Sequence, residues 1–211
     1  TIKIRKYIPV AAGMAGGSTD AAAVLVGVNR MFDLGFTKKE LMERGVKLGA
    51  DVPYCIMRGT ALSEGIGEIL TELPAPPQCH LVIAKPQISV STKAVYGKLR
   101  VNELAPEEHP DIDGMMAAIK NGDLDGVIER LGNVLETVTV PDHPEIARIK
   151  EMMVENGACG SLMSGSGPTV FGIYKDKELA EKTCQALREA DGGRLTRQVY
   201  LTEFYNRKKA R

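Results

Sequence analysis

PVAAGMAGGSTDAAA, residues 9–23, places Gly13, Gly16 and Gly17 directly ahead of an alanine-rich segment. Before it, TIKIRKYIPV alternates Ile2 and Ile4 with Lys3 and Arg5, the period of a half-buried strand. After it, apolar residues from Ala21 to Met31 recur at helical spacing, with Ser18, Thr19 and Asp20 as candidate N-caps. The local order is strand, glycine loop, helix. Such a loop brings backbone N–H groups close to an anion, and the positive end of the helix dipole favours a phosphate there. On the glycines alone, phosphate binding and a tight, closely packed connection stand level. The loop lacks the lysine of G-x-x-x-x-G-K-[ST] and does not meet the spacing of G-x-G-x-x-G. A chain that opens inside a strand, at Thr1, is expected to be a piece of a longer protein whose exposed edge could self-associate, for example as a homodimer.

Downstream, TKKELMERGVKLGAD predicts a helix from Thr37 to Leu48, with Thr37 and Glu40 as a capping box and Gly49 as a stop. In DVPYCIMRGTALSEGIGEIL, Pro53 and Gly59, Gly65 and Gly67 among short apolar runs favour strands and turns. TELPAPPQ, with Pro74, Pro76 and Pro77, is the sharpest change of composition and marks a boundary between residues 1–76 and 77–211. Beyond it, CHLVIAKP reads as a strand, STKAVYGKL as a short helix opened by Ser91 or Thr92, and 111–155 as helices divided near Gly122 and Pro141. ACGSLMSGSGPTVFGIYK reads as strand, glycine loop, strand; 176–190 as a helix; RQVYLTEF as a last strand. Strands interleaved with helices and no repeat period predict an α+β fold.

Composition narrows the function class. Lys+Arg and Asp+Glu both number 27, so no general attraction to nucleic acid or an anionic membrane surface follows. No apolar run reaches the length of a membrane span and no leader pattern is present, so a cytoplasmic protein is expected. Cys55, Cys79, Cys159 and Cys184 form no C-x-x-C pair and are expected to be buried, reduced thiols. His80, His109 and His143 lack partners at metal spacing, and the RKKAR tail reads as a solvated terminus.

Four stretches in order, PVAAGMAGGSTDAAA, LGADVPYCIMRGTALSEGIGEIL, LVIAKPQISVSTKAVY and MSGSGPTVFGIY, resemble the GHMP kinase superfamily. Within it they are most similar to the branch acting on a cytidine-diphosphate-linked methylerythritol, and the resemblance runs from Ile4 to about Phe204. It implies a two-domain α+β fold: a partial N-terminal ATP-binding domain of S5 domain 2-like architecture (1–76) and a C-terminal ferredoxin-like α/β sandwich (77–211). It further implies ATP as phosphoryl donor with Mg²⁺, and a small-molecule substrate. Pro9, Val10, Ala11, Ala12, Gly13, Met14, Ala15, Gly16, Gly17, Ser18 and Thr19 match the ATP phosphate loop, and Lys6 a position near the adenine. Thr19 also matches a hydroxyl that helps hold Mg²⁺. Glu40 falls at the spacing of a metal-ligating glutamate, although the capping role fits it better. Asp51 matches the catalytic aspartate, which would accept or orient the substrate hydroxyl. Tyr96 matches an aromatic that stacks on cytosine, Thr92 a polar neighbour, and Gly165, Ser166 and Gly167, before Pro168, a substrate-side loop.

The superfamily's first motif, a strand carrying a lysine that pairs with the aspartate, has no counterpart in these residues. The resemblance therefore implies a kinase whose activity in this polypeptide is impaired. Two other readings stay open: another GHMP small-molecule kinase, of homoserine or phosphomevalonate type, and a non-catalytic nucleotide-binding module.

Overall fold

The computed structural model describes residues 1–9 and 12–205. The chain divides into two compact units, one holding residues 1–9 and Ala15–Ala75, the other residues 12–14 and Pro76–Phe204. The division thus falls within the glycine loop as well as in the proline-rich stretch.

In the first unit, residues 1–7 form no strand, and Ile2 and Ile4 are 64% and 57% exposed. This corrects the reading from alternation: a strand needs a neighbour for its N–H and C=O groups, and none among the described residues pairs with this stretch. Helix α1 (Gly16–Met31) begins earlier than its apolar periodicity indicates. Its N-cap is Ala15, held in the left-handed region at φ 48°, so Ser18, Thr19 and Asp20 lie inside the first turn rather than capping it. Helix α2 (Lys38–Gly45) carries the expected capping box at Thr37 and Glu40 but stops at Gly45, before Gly49. Pro53 opens helix α3 (Val52–Met57), where its missing N–H costs nothing, instead of breaking the chain into strands. Strands β1 (Thr60–Glu64) and β2 (Ile69–Leu73) follow as an antiparallel hairpin, Leu62 opposite Thr71. The core of this unit is small: Ala22, Leu41, Val52 and Ile56, flanked by Leu25, Phe36 and Cys55.

Thr37 accepts a hydrogen bond from the Glu40 N–H at 3.2 Å, while the Glu40 carboxylate accepts from the Thr37 N–H at 2.8 Å. Two donors left over at the helix start are thereby satisfied together. Thr37→Ala is expected to lower stability by about 1 kcal/mol, read as a shifted midpoint in urea unfolding.

The second unit is built on a four-stranded antiparallel sheet of order β4-β5-β3-β6: β3 (His80–Pro86), β4 (Gly160–Met163), β5 (Val170–Tyr174) and β6 (Thr196–Glu203). Between β3 and β4 the chain forms helices α4 (Thr92–Lys98), α5 (Ile112–Asn121), α6 (Leu124–Glu129), α7 (Glu136–Asp142) and α8 (Pro144–Glu155). Gly122 ends α5 in the left-handed region, as expected, whereas Pro141 lies inside α7 and the break comes at His143. Helix α9 (Lys177–Glu189) joins β5 to β6. β3 is an inner strand covered on both faces, which is why LVIA, residues 81–84, reads as an unbroken apolar run. Val82 and Ala84 meet Ile146, Ile149, Met153, Cys184 and Leu187 of α8 and α9. Leu81 joins Ile173 beside Leu124, Ile128 and Leu131.

Cys79 and Cys184 are buried and Cys55 half-buried, but Cys159 is exposed, against the expectation for it; all four are free. No described helix is long and apolar enough to cross a membrane. The RKKAR tail, 207–211, lies outside the described residues.

Candidate active site

The loop residues of the first unit are shaped by the start of α1. With Ala15 left-handed, the first bond of the helix runs from the Thr19 N–H to the Ala15 carbonyl at 2.8 Å. No side chain caps this end. Among the described residues the N–H groups of Gly16, Gly17 and Ser18 donate to no protein acceptor. Three unfilled donors at the positive end of a helix attract an anion. Lys6 reaches the same turn: its ammonium pairs with Asp20 and donates to the Gly16 carbonyl at 3.2 Å. Val10 and Ala11 lie outside the described residues.

Asp51 lies on the turn that leads into α3. It occupies the N-cap position of α3, yet its carboxylate makes no capping bond and, among the described residues, no ion pair; it is exposed. The turn it belongs to is adjacent to the loop helix, because a methyl placed on Gly49 would sit 3.9 Å from the Ser18 hydroxyl oxygen. One turn further on, Cys55 Sγ lies 3.5 Å from Thr19 Oγ1. Burial pushes the Cys55 thiol up, opposed by the Thr19 hydrogen bond, and the neighbouring Asp51 charge adds to the rise. The thiol is therefore neutral.

The donor set for a divalent cation is sparse. The described residues contain no cluster of three His, Cys, Asp or Glu side chains. Thr19 Oγ1 donates to the Ala15 carbonyl at 3.0 Å, which leaves its oxygen lone pairs open. Glu40 is engaged in its capping box, where the Thr37 N–H and hydroxyl hold its carboxyl below the usual range. These residues supply no protein cage of the kind Mg²⁺ sites seldom need when phosphate oxygens and water complete the shell.

In the second unit, residues 12–14 lie against the hairpin turn between β4 and β5. Ser164 Oγ donates to the Gly13 carbonyl at 2.7 Å. Gly13 has φ 68°, and a Cβ there would fall 2.3 Å from the Ser164 carbonyl oxygen. The turn itself is closed by Ser164 N–H to Thr169 O at 2.8 Å and Gly167 N–H to Ser164 O at 2.9 Å. The Ser166 hydroxyl, in a residue only 5% exposed, shares a 2.8 Å hydrogen bond with Thr92 at the start of α4. Val95 anchors that helix in the core, and Tyr96, the next residue, is 61% exposed. The sequence reading missed the side chains behind this turn, Asn133, Glu136 and Thr139. Their only local signal is an Asn ahead of an apolar helix in GNVLETV.

Comparison with known proteins fits this layout. The profile described as GHMP kinases N terminal domain matches residues 1–59, and that described as GHMP kinases C terminal matches 115–192. The 4-diphosphocytidyl-2-C-methyl-D-erythritol kinase of Lachnospira eligens is 55% identical over 204 residues, 97% of this chain and 69% of that protein. This chain belongs to the GHMP kinases. As a GHMP kinase it also resembles, at 29% identity and TM-score 0.77, a crystal structure of 4-(cytidine 5'-diphospho)-2C-methyl-D-erythritol kinase, covering 94% of this chain and 68% of that one. Homoserine kinase from Cytophaga hutchinsonii, at 21% identity and TM-score 0.79 over 93% of this chain and 67% of its own, shares the GHMP fold.

Proposed function

We propose that this chain transfers the γ-phosphoryl group of ATP to the 2-hydroxyl of 4-diphosphocytidyl-2-C-methyl-D-erythritol, in isoprenoid precursor synthesis. The observation that carries the substrate choice is the 55% identity over 97% of the chain to a kinase of that name. In this reading the N–H groups of Gly16, Gly17 and Ser18 receive the phosphates. Asp51 accepts the proton of the attacking hydroxyl as its oxygen bonds to the γ-phosphorus and the β–γ bridging bond breaks, releasing ADP. Mg²⁺ would enter with the nucleotide and neutralise phosphate charge, with Thr19 Oγ1 as a protein ligand. The free carboxylate of Asp51 and the uncapped start of α1 support these assignments.

Tyr96 stacks on the cytosine in this scheme, and Thr92 and Ser166 provide polar contacts beside it. An exposed ring gains from covering a base, about 1–3 kcal/mol per stacked base in nucleic-acid proteins. Tyr96→Ala is expected to raise KM for the cytidyl substrate roughly tenfold with KM for ATP unchanged, the lower half of that range. Steady-state kinetics with each substrate varied in turn measure both. The function itself is tested by offering the cytidyl alcohol, homoserine and phosphomevalonate separately with ATP. Phosphorylation of either of the latter, with none of the cytidyl compound, overturns the substrate assignment. ATP binding without transfer to any of them supports a nucleotide-binding module instead.

A further inference from the structure

β4 is an edge strand, so the backbone groups on its outer side have no neighbouring strand to pair with. Side chains at and just before the start of α7 fill that role at its last residue. The Met163 N–H donates to Glu136 Oε1 at 2.7 Å, and the Met163 carbonyl accepts from Asn133 Nδ2 at 2.9 Å. The same Asn133 amide nitrogen also donates to the Gly165 carbonyl at 2.8 Å, two residues further, where the strand has become the glycine turn. Asn133 is itself fixed, its Oδ1 accepting the Leu135 N–H at 3.0 Å, and Glu136 is held by Lys150 at 2.5 Å. One helical turn along, Thr139, 1% exposed, donates to the Ser166 carbonyl at 3.3 Å.

The consequence is an asymmetry in the turn. The carbonyls of Met163, Ser164, Gly165 and Ser166 are all occupied by protein donors. Among the described residues the N–H groups of Gly165 and Ser166 donate to nothing. A turn with its acceptors consumed and its donors free is suited to an anionic or acceptor-rich ligand and repels nothing it should bind. The side chains of the turn itself are engaged elsewhere, Ser164 with the Gly13 carbonyl and Ser166 with Thr92, so the turn carbonyls are held largely from behind.

We propose that Asn133, seconded by Thr139, is a positioning residue for substrate binding: its amide bridges the Met163 and Gly165 carbonyls and so keeps the Gly165 and Ser166 N–H groups available to the diphosphate-bearing cytidyl alcohol. This rests on the kinase reading above. Asn133→Asp keeps the size of the side chain but sets a carboxylate oxygen against two carbonyls. Thr139→Val removes a donor and keeps the shape of a buried residue. In steady-state kinetics on the folded protein, Asn133→Asp should raise KM for the cytidyl alcohol at least tenfold with kcat within threefold of wild type. Thr139→Val should raise that KM at least threefold. A wild-type KM in folded Asn133→Asp, with only the melting temperature lowered, overturns the proposal. If Asn133→Asp does not fold, a wild-type KM in Thr139→Val does the same. A wild-type protein that transfers no phosphoryl group to the cytidyl alcohol removes the kinase reading and this inference with it, whereas active wild type with unaltered variants removes the inference alone.

Discussion

Asp51→Asn is expected to cut turnover about 100- to 10,000-fold while leaving the ATP dissociation constant within about twofold, the range a positioned proton acceptor contributes. The argument begins from what Asp51 does not do. An aspartate at a helix N-cap ordinarily accepts a backbone N–H of the first turn, yet here the carboxylate forms no such bond and meets no cation among the described residues. Among the described residues the carboxylate is therefore uncommitted to any protein partner. Asn has the same shape and one of the same oxygens, so the variant folds and the loop helix is untouched; only the proton affinity is lost. ATP affinity should not fall, because an anion near the phosphates does not hold them. Single-turnover rates and calorimetric titration of ATP separate the two quantities. Unchanged turnover would remove Asp51 from the chemistry, and a parallel loss of ATP affinity would make it a structural residue of the loop.

Gly13→Ala is expected to weaken ATP binding by about a hundredfold, or about 3 kcal/mol. Two independent costs meet at this residue. Its φ of 68° lies in the left-handed region, where a side chain is strained. The new methyl would also fall 2.3 Å from a backbone carbonyl, that of Ser164, which cannot rotate away as a side-chain end could. The loop must then leave the β4–β5 turn and surrender the 2.7 Å bond from Ser164 Oγ to the Gly13 carbonyl. Gly17→Ala provides the contrast, since a methyl there meets nothing within 4 Å. Equal ATP affinity in Gly13→Ala and wild type, by calorimetry, would show that this approach of loop and turn has no part in holding the nucleotide.

Local features were legible in the sequence where a side chain's own neighbours in the chain settle its conformation. The capping box at Thr37 and Glu40, the Ser91 cap of α4, the stop at Gly122 and the β4-turn-β5 order all follow from bonds or dihedral preferences spanning a few residues. Periodicity failed where pairing or exposure depends on something distant. Ile2 and Ile4 alternate correctly for a strand but pair with nothing described, and Cys159, apolar by type, comes to the surface one residue ahead of an edge strand. The start of α1 departs from the sequence pattern for a related reason: Ser18, Thr19 and Asp20 are good caps by type, but the left-handed Ala15 moves the first turn back over the glycines.

The sequence by itself determined the α+β class, the family and the order of the motif stretches, because each is written in contiguous residues. Only the tertiary structure decided what those residues are free to do. It left the Asp51 carboxylate uncommitted, committed Glu40 to its own helix, pressed Gly13 against Ser164 across 151 positions, and brought Asn133 and Thr139 behind a turn roughly 30 residues away. Hydrogen-bond partners so remote along the chain carry no local pattern. Whether a polar group is spent or available is set by the fold that brings its partner within about 3 Å.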